Sequence, residues 1–289
     1  MSFTVVIWTA IISAVISTCV GALWKCHLAF RKNRVRVIRI KDPDKQLNIL
    51  LEALQIYEDE KYISEEDKDA SDDIIRWIKE VRDEKANGNC KLEDFFLVAK
   101  TSTHVIGMAY AHLYPSVQMA FFSYLIALPS YLASGRRASS RLLARLRREL
   151  LRTKRCKAIV TEVEEPEAIT DHKGKNTARV RIRTLQNLAK EQRVVLRSVR
   201  IPYKQPRLNL DDPTTQEKPL RLMIVFQETS GERRVMTRRE LKEILTFLAE
   251  FIYGGQFEDE PERDREYRAY LAEWKAELIK SAPKEIELY

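Results

Sequence analysis

The sequence predicts a mixed α/β (α+β) fold in which helices flank a mostly antiparallel central sheet. Three observations predict this class. Strand-like and helix-like hydrophobic patterns alternate through the middle of the chain, an uncharged run lies near the N-terminus, and only helical patterns occupy the C-terminal part. We therefore expect a transmembrane anchor over residues 1–30, a central domain over residues 35–228 and a C-terminal helical extension over residues 229–289.

Composition and charge agree with this division. The 289 residues are 45% hydrophobic and 32% charged, which is enough chain for a buried core and too polar for a polytopic membrane protein. The net charge is +8, from 50 basic and 42 acidic residues. Residues 231–289 hold 11 basic and 14 acidic side chains, a charge of −3, so the remainder carries +11. This opposite sign indicates that the C-terminal part is a distinct segment.

The N-terminal run over residues 3–24 contains no charged side chain. As a helix it spans roughly 33 Å, about the thickness of a bilayer core. Basic residues follow the run and none precedes it, which places the N-terminus outside and the rest in the cytoplasm of a single-pass inner (plasma) membrane protein. A cleaved signal peptide is a competing interpretation, but it needs a basic start. A buried or interfacial helix is another, but the run has no polar face.

The chain carries few signals for other kinds of site. The cysteines form no C-x-x-C pair, and the four histidines are dispersed, so we expect a reducing compartment and no metal site. The sequence contains no G-x-S-x-G, no Walker loop and no H-E-x-x-H. Hydrolases, nucleotide triphosphatases and zinc proteases are therefore disfavoured.

The order of predicted elements follows from periodicity and capping residues. Period-two or continuous apolar patterns predict strands over residues 35–41, 95–100, 105–113, 117–128, 158–163, 194–202 and 220–227. Helical spacing predicts helices over residues 42–57, 71–87, 138–153, 176–191, 238–253 and 261–280. The strands from 95 to 128 form an antiparallel meander. The segment 117–163 reads strand, helix, strand, and its crossover is long enough for parallel pairing.

This order resembles the GNAT superfamily of N-acetyltransferases over residues 35–228, with the best local match at residues 124–150. In that family, a loop with the pattern Q/R-x-x-G-x-G/A follows a splayed strand and holds the coenzyme A pyrophosphate. Arg137 stands at the expected glycine of that loop, and Ser139 stands at its last small position. The resemblance implies a cofactor site made of Ala127, Leu128, Ser134, Gly135, Arg136, Arg137, Ala138, Ser139 and Asn176, the last of which opens the predicted helix 176–191.

Two further segments resemble a membrane-anchored bacterial group of GNAT proteins. The first has the pattern E-V-x-x-P and ends a strand. The second has the pattern Y-x-Q-P-x-L and follows a helix and a strand. The matching residues here are Glu162, Val163 and Pro166 in the first segment, and Tyr203, Gln205, Pro206 and Leu208 in the second.

The resemblance implies acyl transfer, here expected to be acetyl transfer, from coenzyme A to an amine by direct attack in a ternary complex. A base must take the ammonium proton, and an acid must protonate the thiolate. Glu164 is expected to be the base, with Glu162 as the other candidate on the same side of the strand. Many family members have a tyrosine that acts as the acid, and Leu185 stands at the matching position here. Tyr203 is therefore the candidate for the acid in this chain. Each residue also has a structural interpretation. Glu164 and Glu162 could be solvated carboxylates, Tyr203 could fill the core, and Asn176 could be an ordinary helix N-cap.

Two functions of other kinds stay open. Residues 136–157 hold ten basic side chains and one glutamate, which is typical of a membrane-tethered module that binds nucleic acid or anionic lipid. Interleaved aromatic residues are missing there, so nucleic acid is the disfavoured partner. The altered loop and the lost tyrosine also fit an inactive GNAT-fold scaffold, whose C-terminal helices dock a partner or a second copy. The acceptor is open among small amines, aminoglycan precursors, peptide termini and lysine side chains.

Overall fold

The computed structural model describes residues 35–61, 68–88, 91–128, 132–151, 156–208, 210–211, 216–226, 235–255, 257 and 260–289. The predicted anchor over residues 1–30 lies outside these ranges. Among the helices that are described, none is both long and apolar enough to cross a bilayer.

The elements follow the predicted order closely. The strands are β1 (Arg36–Ile40), β2 (Glu93–Lys100), β3 (Val105–Tyr114), β4 (Met119–Ala127), β5 (Ala158–Glu164), β6 (Leu196–Ser198), β7 (Lys204–Gln205), β8 (Lys218–Phe226), β9 (Val235–Thr237) and β10 (Glu285–Glu287). The α-helices are α1 (Leu47–Glu58), α2 (Ser71–Ala86), α3 (Leu132–Leu151), α4 (His172–Glu191), α5 (Arg238–Phe247) and α6 (Pro261–Ser281). A π-helical turn, Leu248–Tyr253, continues α5.

The main sheet has the strand order β1-β2-β3-β4-β5-β8-β6, and β7 pairs with β8. Every pair is antiparallel except β4 with β5, which are parallel and joined by α3. The mixed, mostly antiparallel sheet and the strand–helix–strand crossover are therefore confirmed. The small β9–β10 sheet was not predicted, because its three-residue strands are too short to show a period.

Helices cover both faces of the sheet. Helix α3 lays Leu142, Leu146 and Leu150 on one face, against side chains such as Phe95 and Leu97. Helices α1 and α2 cover the opposite face at β1 to β4, because alternate strand residues such as Phe96 point there. The site described below lies on this second face.

The C-terminal helices pack on that second face at β5 and β8. Val160, Leu222 and Ile224 share one apolar cluster with Leu245 and Trp274. The chain then returns to the sheet edge, where Ser198 and Tyr289 exchange two backbone hydrogen bonds of 2.8 and 3.0 Å. The described part of residues 229–289 holds α5 and α6 together with β9 and β10, and its apolar side chains form part of the core beside the sheet.

Two helix starts were predicted wrongly. Helix α3 begins at Leu132 rather than residue 138, so residues 134–139 are helical and not a loop. Helix α4 begins at His172 rather than residue 176. Its N-cap is Asp171, whose carboxylate accepts hydrogen bonds from the backbone N–H groups of Lys173 and Gly174, and Asn176 lies in the second turn.

Candidate functional site

The parallel strands β4 and β5 part after a short ladder. Three residue pairs join them, the last being Phe121 with Val160. The Thr161 hydroxyl then donates to the backbone oxygen of Phe122 at 2.9 Å, and beyond this point β4 continues with β3 while β5 continues with β8. The strands therefore open into a wedge at their carboxyl ends.

A bulge in β4 gives a physical reason for this divergence. Tyr110 lies opposite Tyr124, whereas the next residue of β3, Ala111, lies opposite Phe122. Ser123 is thus an extra residue on β4. A bulge bends its strand and increases the local twist, so β4 turns away from β5 where the ladder ends.

The N-terminus of α3 lies at the open end of the wedge. The helix starts at Leu132, five positions after the last residue of β4, Ala127. The amides of its first three residues, Leu132, Ala133 and Ser134, have no acceptor within the helix and carry the positive end of the helix dipole. Gly135 follows directly, whereas the amides of Ala138 and Ser139 lie deeper in the helix, and Ala138 is buried against the sheet. The helix therefore favours an anion at residues 132–134 rather than along all of 134–139.

Two of the other predicted cofactor residues, Ala127 and Leu128, lie at the end of β4 beside this opening. Ala127 ends β4 and packs towards the α3 face, and the Leu128 amide donates to the backbone oxygen of Ile106 at 3.0 Å. Asn176 is exposed on α4. The side chains of Arg136 and Arg137 lie outside the described part of the molecule.

Glu162 and Tyr203, predicted as catalytic from separate motifs, lie in contact. The Tyr203 phenol donates to Oε1 of Glu162, and the Tyr253 phenol donates to Oε2 at 2.6 Å. Trp274 packs edge-on against both tyrosine rings. We call Glu162, Tyr203 and Tyr253 the carboxylate–phenol cluster.

Both phenols of this cluster keep their protons at neutral pH. Burial raises the pKa of Tyr203 well above its usual value, and the charge of Glu162 raises it further. The same two causes raise the pKa of Tyr253. Proton donation by Tyr203 to a leaving thiolate would place a phenolate beside a carboxylate, which electrostatics disfavours. This geometry suits a supporting role for Tyr203.

Glu164 has a different environment at the end of β5. Its carboxylate forms a 2.9 Å ion pair with Arg181 of α4, and both side chains are about one-third exposed, 39% for Glu164 and 32% for Arg181. Leu185, one turn further along α4, packs among apolar side chains. The predicted base therefore carries a cationic partner in this structure, and Leu185 is a partly buried packing residue.

The structure adds a histidine–aspartate pair that sequence analysis missed. Asp94 and His112 are direct partners in the β2–β3 ladder, and Nδ1 of His112 lies 2.7 Å from Oδ1 of Asp94. The Tyr110 phenol donates to Oδ2 of Asp94 at 3.2 Å, and the Arg39 guanidinium donates to the backbone oxygen of Asp94 at 2.6 Å. The predicted strand started at residue 95, so this pairing was not visible in the sequence.

A second carboxylate lies near this pair. Tyr124 donates to Oδ2 of Asp69 at 2.9 Å, and Tyr57 donates to the backbone oxygen of Asp69 at 3.3 Å. Burial raises the pKa of the Asp69 carboxyl, while the Tyr124 hydrogen bond and the charge of His112 act in the opposite direction. Among the described residues, no cluster of histidine, cysteine, aspartate or glutamate side chains is arranged to hold a metal ion.

Solved structures similar to this chain include several acetyltransferases. A protein assigned to the GNAT family from Bacteroides thetaiotaomicron has a TM-score of 0.47 and 16% identity, and covers 76% of this chain and 98% of its own. A chimera of the Vibrio cholerae spermidine N-acetyltransferase has a TM-score of 0.41 and 12% identity over 69% and 99%. A ribosomal L7/L12 α-N-protein acetyltransferase solved with coenzyme A has a TM-score of 0.40 and 9% identity over 66% and 93%.

The sequence matches no family model and no curated protein. The function of this chain therefore has to be argued from its own residues and geometry.

Proposed function

We propose that this chain is an acyl-CoA-dependent N-acyltransferase that moves an acetyl group from coenzyme A to an amine. The observation that carries the proposal is the wedge between β4 and β5, which starts at Phe122 and Thr161 and has a helix N-terminus at its open end. An extended thioester arm fits between two parting strands, because the edge of β4 that faces the wedge presents backbone rather than side chains. The E-V-x-x-P segment lies at the end of β5, and Tyr203 of the Y-x-Q-P-x-L segment contacts Glu162 of that strand.

The cofactor would be held at two places. The start of α3 would hold its pyrophosphate, and the end of β4 would hold its thioester arm. The pyrophosphate would lie at the first turn of α3, where the Ser134 amide and the positive helix end favour an anion and Gly135 follows directly. Arg136 and Arg137 follow within the same two turns and add positive charge. Ala127 and Leu128 would line the arm at the end of β4, and Asn176 would approach it from α4.

The reaction would take place on the face that carries Glu162. The neutral amine attacks the thioester carbonyl, the C–N bond forms, and the C–S bond breaks. One proton of the incoming ammonium goes to a base, and a second leaves with the thiolate as coenzyme A thiol. The carboxylate–phenol cluster would form one wall of this site, and Glu164 would be the base predicted from sequence.

The chain would act next to a membrane. The uncharged run over residues 3–24 would anchor it in the inner (plasma) membrane, and the basic residues that follow would keep the acyltransferase domain in the cytoplasm. Labelling of Cys90 in intact cells tests the orientation, because the Cys156 thiol is buried in the folded domain. Labelling of Cys90 from the outer side contradicts it.

The decisive experiment is calorimetric titration of the full-length protein with acetyl-CoA. We expect one site per chain, followed by amine-dependent release of coenzyme A thiol. Binding of acetyl-CoA without turnover on any amine favours the inactive scaffold. Failure to bind acetyl-CoA, together with salt-sensitive binding to anionic vesicles or oligonucleotides, favours the basic binding module instead.

A further inference from the structure

We propose that His112, held in place by Asp94, is the base that takes the proton from the acceptor ammonium. This inference rests on the acyltransferase function proposed above. It assigns to a histidine the step that the sequence motifs assign to Glu164 or Glu162.

The pair has the geometry of an oriented imidazole. Asp94 is nearly buried, with 5% of its side chain exposed, whereas 15% of the His112 side chain is exposed. Because Nδ1 faces Asp94 at 2.7 Å, the ring turns Nε2 away from the buried carboxylate. A carboxylate on Nδ1 fixes the tautomer that leaves Nε2 as an acceptor, and it stabilises the imidazolium that forms when Nε2 takes a proton.

Strand register places this imidazole at the start of the wedge. Asp94 pairs with His112, His112 with Phe121, and Phe121 with Val160, so the four residues form one row across β2, β3, β4 and β5. Residues in one row point to the same face of a sheet. The row contains the last pair before β4 and β5 separate.

Glu162 lies on the same face, two positions beyond Val160 on β5. His112 and Glu162 therefore stand on the two strands that flank β4. Two interstrand spacings, roughly 10 Å, separate these strands where β4 and β5 still pair, and Glu162 lies beyond that point. An amine that attacks a thioester held along β4 would lie between them. Both carboxylate oxygens of Glu162 already accept a phenolic hydrogen bond, so Glu162 is less free than the imidazole to take a proton.

The groups around His112 suit a cationic acceptor. Asp94 faces it from β2, and Tyr110 packs edge-on against its ring with centroids 4.3 Å apart. The charge of His112 reaches the Asp69 carboxyl, which Tyr124 contacts from β4. Among the described residues, Arg39 and Tyr114 also interact electrostatically with Asp94. An ammonium group would be drawn to the two carboxylates, which brings its proton towards Nε2 of the imidazole.

The proton balance of this step is complete. Neutral His112 takes one proton from R–NH₃⁺ at Nε2, and the resulting amine attacks the acetyl carbonyl. The C–S bond breaks, and a second amine proton goes to the thiolate, directly or through water. The imidazolium then returns its proton to solvent.

The test compares two nucleophiles in the wild-type protein and in His112→Asn. The asparagine amide keeps a hydrogen-bond donor near the position of Nδ1, where it can still donate to Asp94, but it has no group at the position of Nε2. With acetyl-CoA and 1,4-diaminobutane, whose amines are protonated at neutral pH, we expect kcat to fall about 10²–10⁴-fold, with unchanged calorimetric affinity for acetyl-CoA. With hydroxylamine, which is already neutral, we expect a loss of less than about tenfold. His104→Gln, at the exposed opposite end of the same hairpin, is the control and should keep wild-type rates.

A pH profile separates a base from a structural residue. The loss in His112→Asn should shrink as pH rises, because more amine is neutral. Asp94→Asn should lower kcat with 1,4-diaminobutane more than with hydroxylamine, because the imidazolium that forms during proton transfer loses its anionic partner. Equal losses with both nucleophiles, or a large loss in Glu164→Gln with none in His112→Asn, overturn the proposal. Wild-type protein that binds no acetyl-CoA, or releases no thiol with either nucleophile, overturns the acyltransferase function and this inference with it.

Discussion

The phenol of Tyr253 donates a 2.6 Å hydrogen bond to Oε2 of Glu162, although 91 positions separate the two residues in the chain. Tyr253 ends the π-helical turn of the C-terminal extension, and Glu162 lies on β5 beside the wedge. The extension thus supplies one of the two phenols that hold the carboxylate predicted to be catalytic. Removal of the extension should therefore affect both the core and the site.

Tyr253→Phe tests the strength of this contact. The substitution removes only the hydroxyl, and hydrogen bonds to charged groups are worth roughly 1.5–3 kcal/mol. We expect the free energy of unfolding, measured by urea titration at neutral pH, to fall by about that amount. Tyr114→Phe is the matched control, because its hydroxyl donates to the neutral backbone oxygen of Phe251 at 3.0 Å. Tyr114→Phe should lower the free energy of unfolding by only about 1 kcal/mol. An equal decrease in both variants would contradict a charged Glu162 as the acceptor of the Tyr253 hydrogen bond.

Truncation after residue 228 tests whether the extension is part of the folding unit. It would expose Val160, Leu222 and Ile224, which pack against the C-terminal helices. We expect the shortened chain to lose cooperative thermal unfolding, because its apolar face at β5 and β8 would contact water. Deletion of residues 1–29 is the control, and we expect it to leave a soluble, cooperatively folded domain. Cooperative unfolding of the 228-residue chain would show that the extension is dispensable.

Arg136→Glu combined with Arg137→Glu tests the coenzyme A site. Negative charge near the first turn of α3 should repel a pyrophosphate, and charge-assisted hydrogen bonds are worth roughly 1.5–3 kcal/mol each. We expect the affinity for acetyl-CoA, measured by calorimetry, to fall about tenfold or more. Arg148→Glu combined with Lys190→Glu makes the same charge change at exposed positions elsewhere. Equal effects in the two double variants would indicate that only net charge matters.

Elements with a clear period were predictable, and helix starts were less so. The meander and the crossover follow from apolar runs of strand length and from the leucine spacing of α3. The start of α3 was misplaced because the resemblance assigned a loop to residues 134–139, whereas Leu132, Ala133 and Ala138 favour helix. The start of α4 was misplaced because Asp171, a strong N-cap, was passed over in favour of Asn176.

The site was predictable where its residues lie in local motifs. Glu162 and Tyr203 were both named from sequence, and they are in contact. Tyr253 and the Asp94–His112 pair were missed because each depends on strand register or on packing between distant segments. Hydrophobic periodicity shows which face a residue occupies, but it does not show which residue lies opposite.

Alkaline pH should destabilise the protein through its buried tyrosines. Burial raises the pKa of Tyr110, Tyr203 and Tyr253 well above 10, and neighbouring carboxylates raise it further. An unfolded tyrosine loses its proton near pH 10, whereas these three keep theirs in the folded state. The folded state then binds more protons, so the stabilisation is complete below about pH 10 and is lost as pH rises through the folded-state pKa values.

Each such tyrosine should lower the free energy of unfolding by about 1.4 kcal/mol per pH unit above pH 10. Urea unfolding between pH 8 and 11.5 measures this slope, and absorbance at 295 nm follows phenolate formation in the folded protein. Tyr253→Phe removes one titrating group from the cluster. The decline of its free energy of unfolding with pH should therefore be less steep than that of the wild-type protein, by about 1.4 kcal/mol per pH unit, which corresponds to one proton. Phenolate absorbance from all tyrosines near pH 10, without unfolding, contradicts the burial of these hydroxyls. An unchanged slope in Tyr253→Phe would show that the steep decline comes from groups outside the carboxylate–phenol cluster.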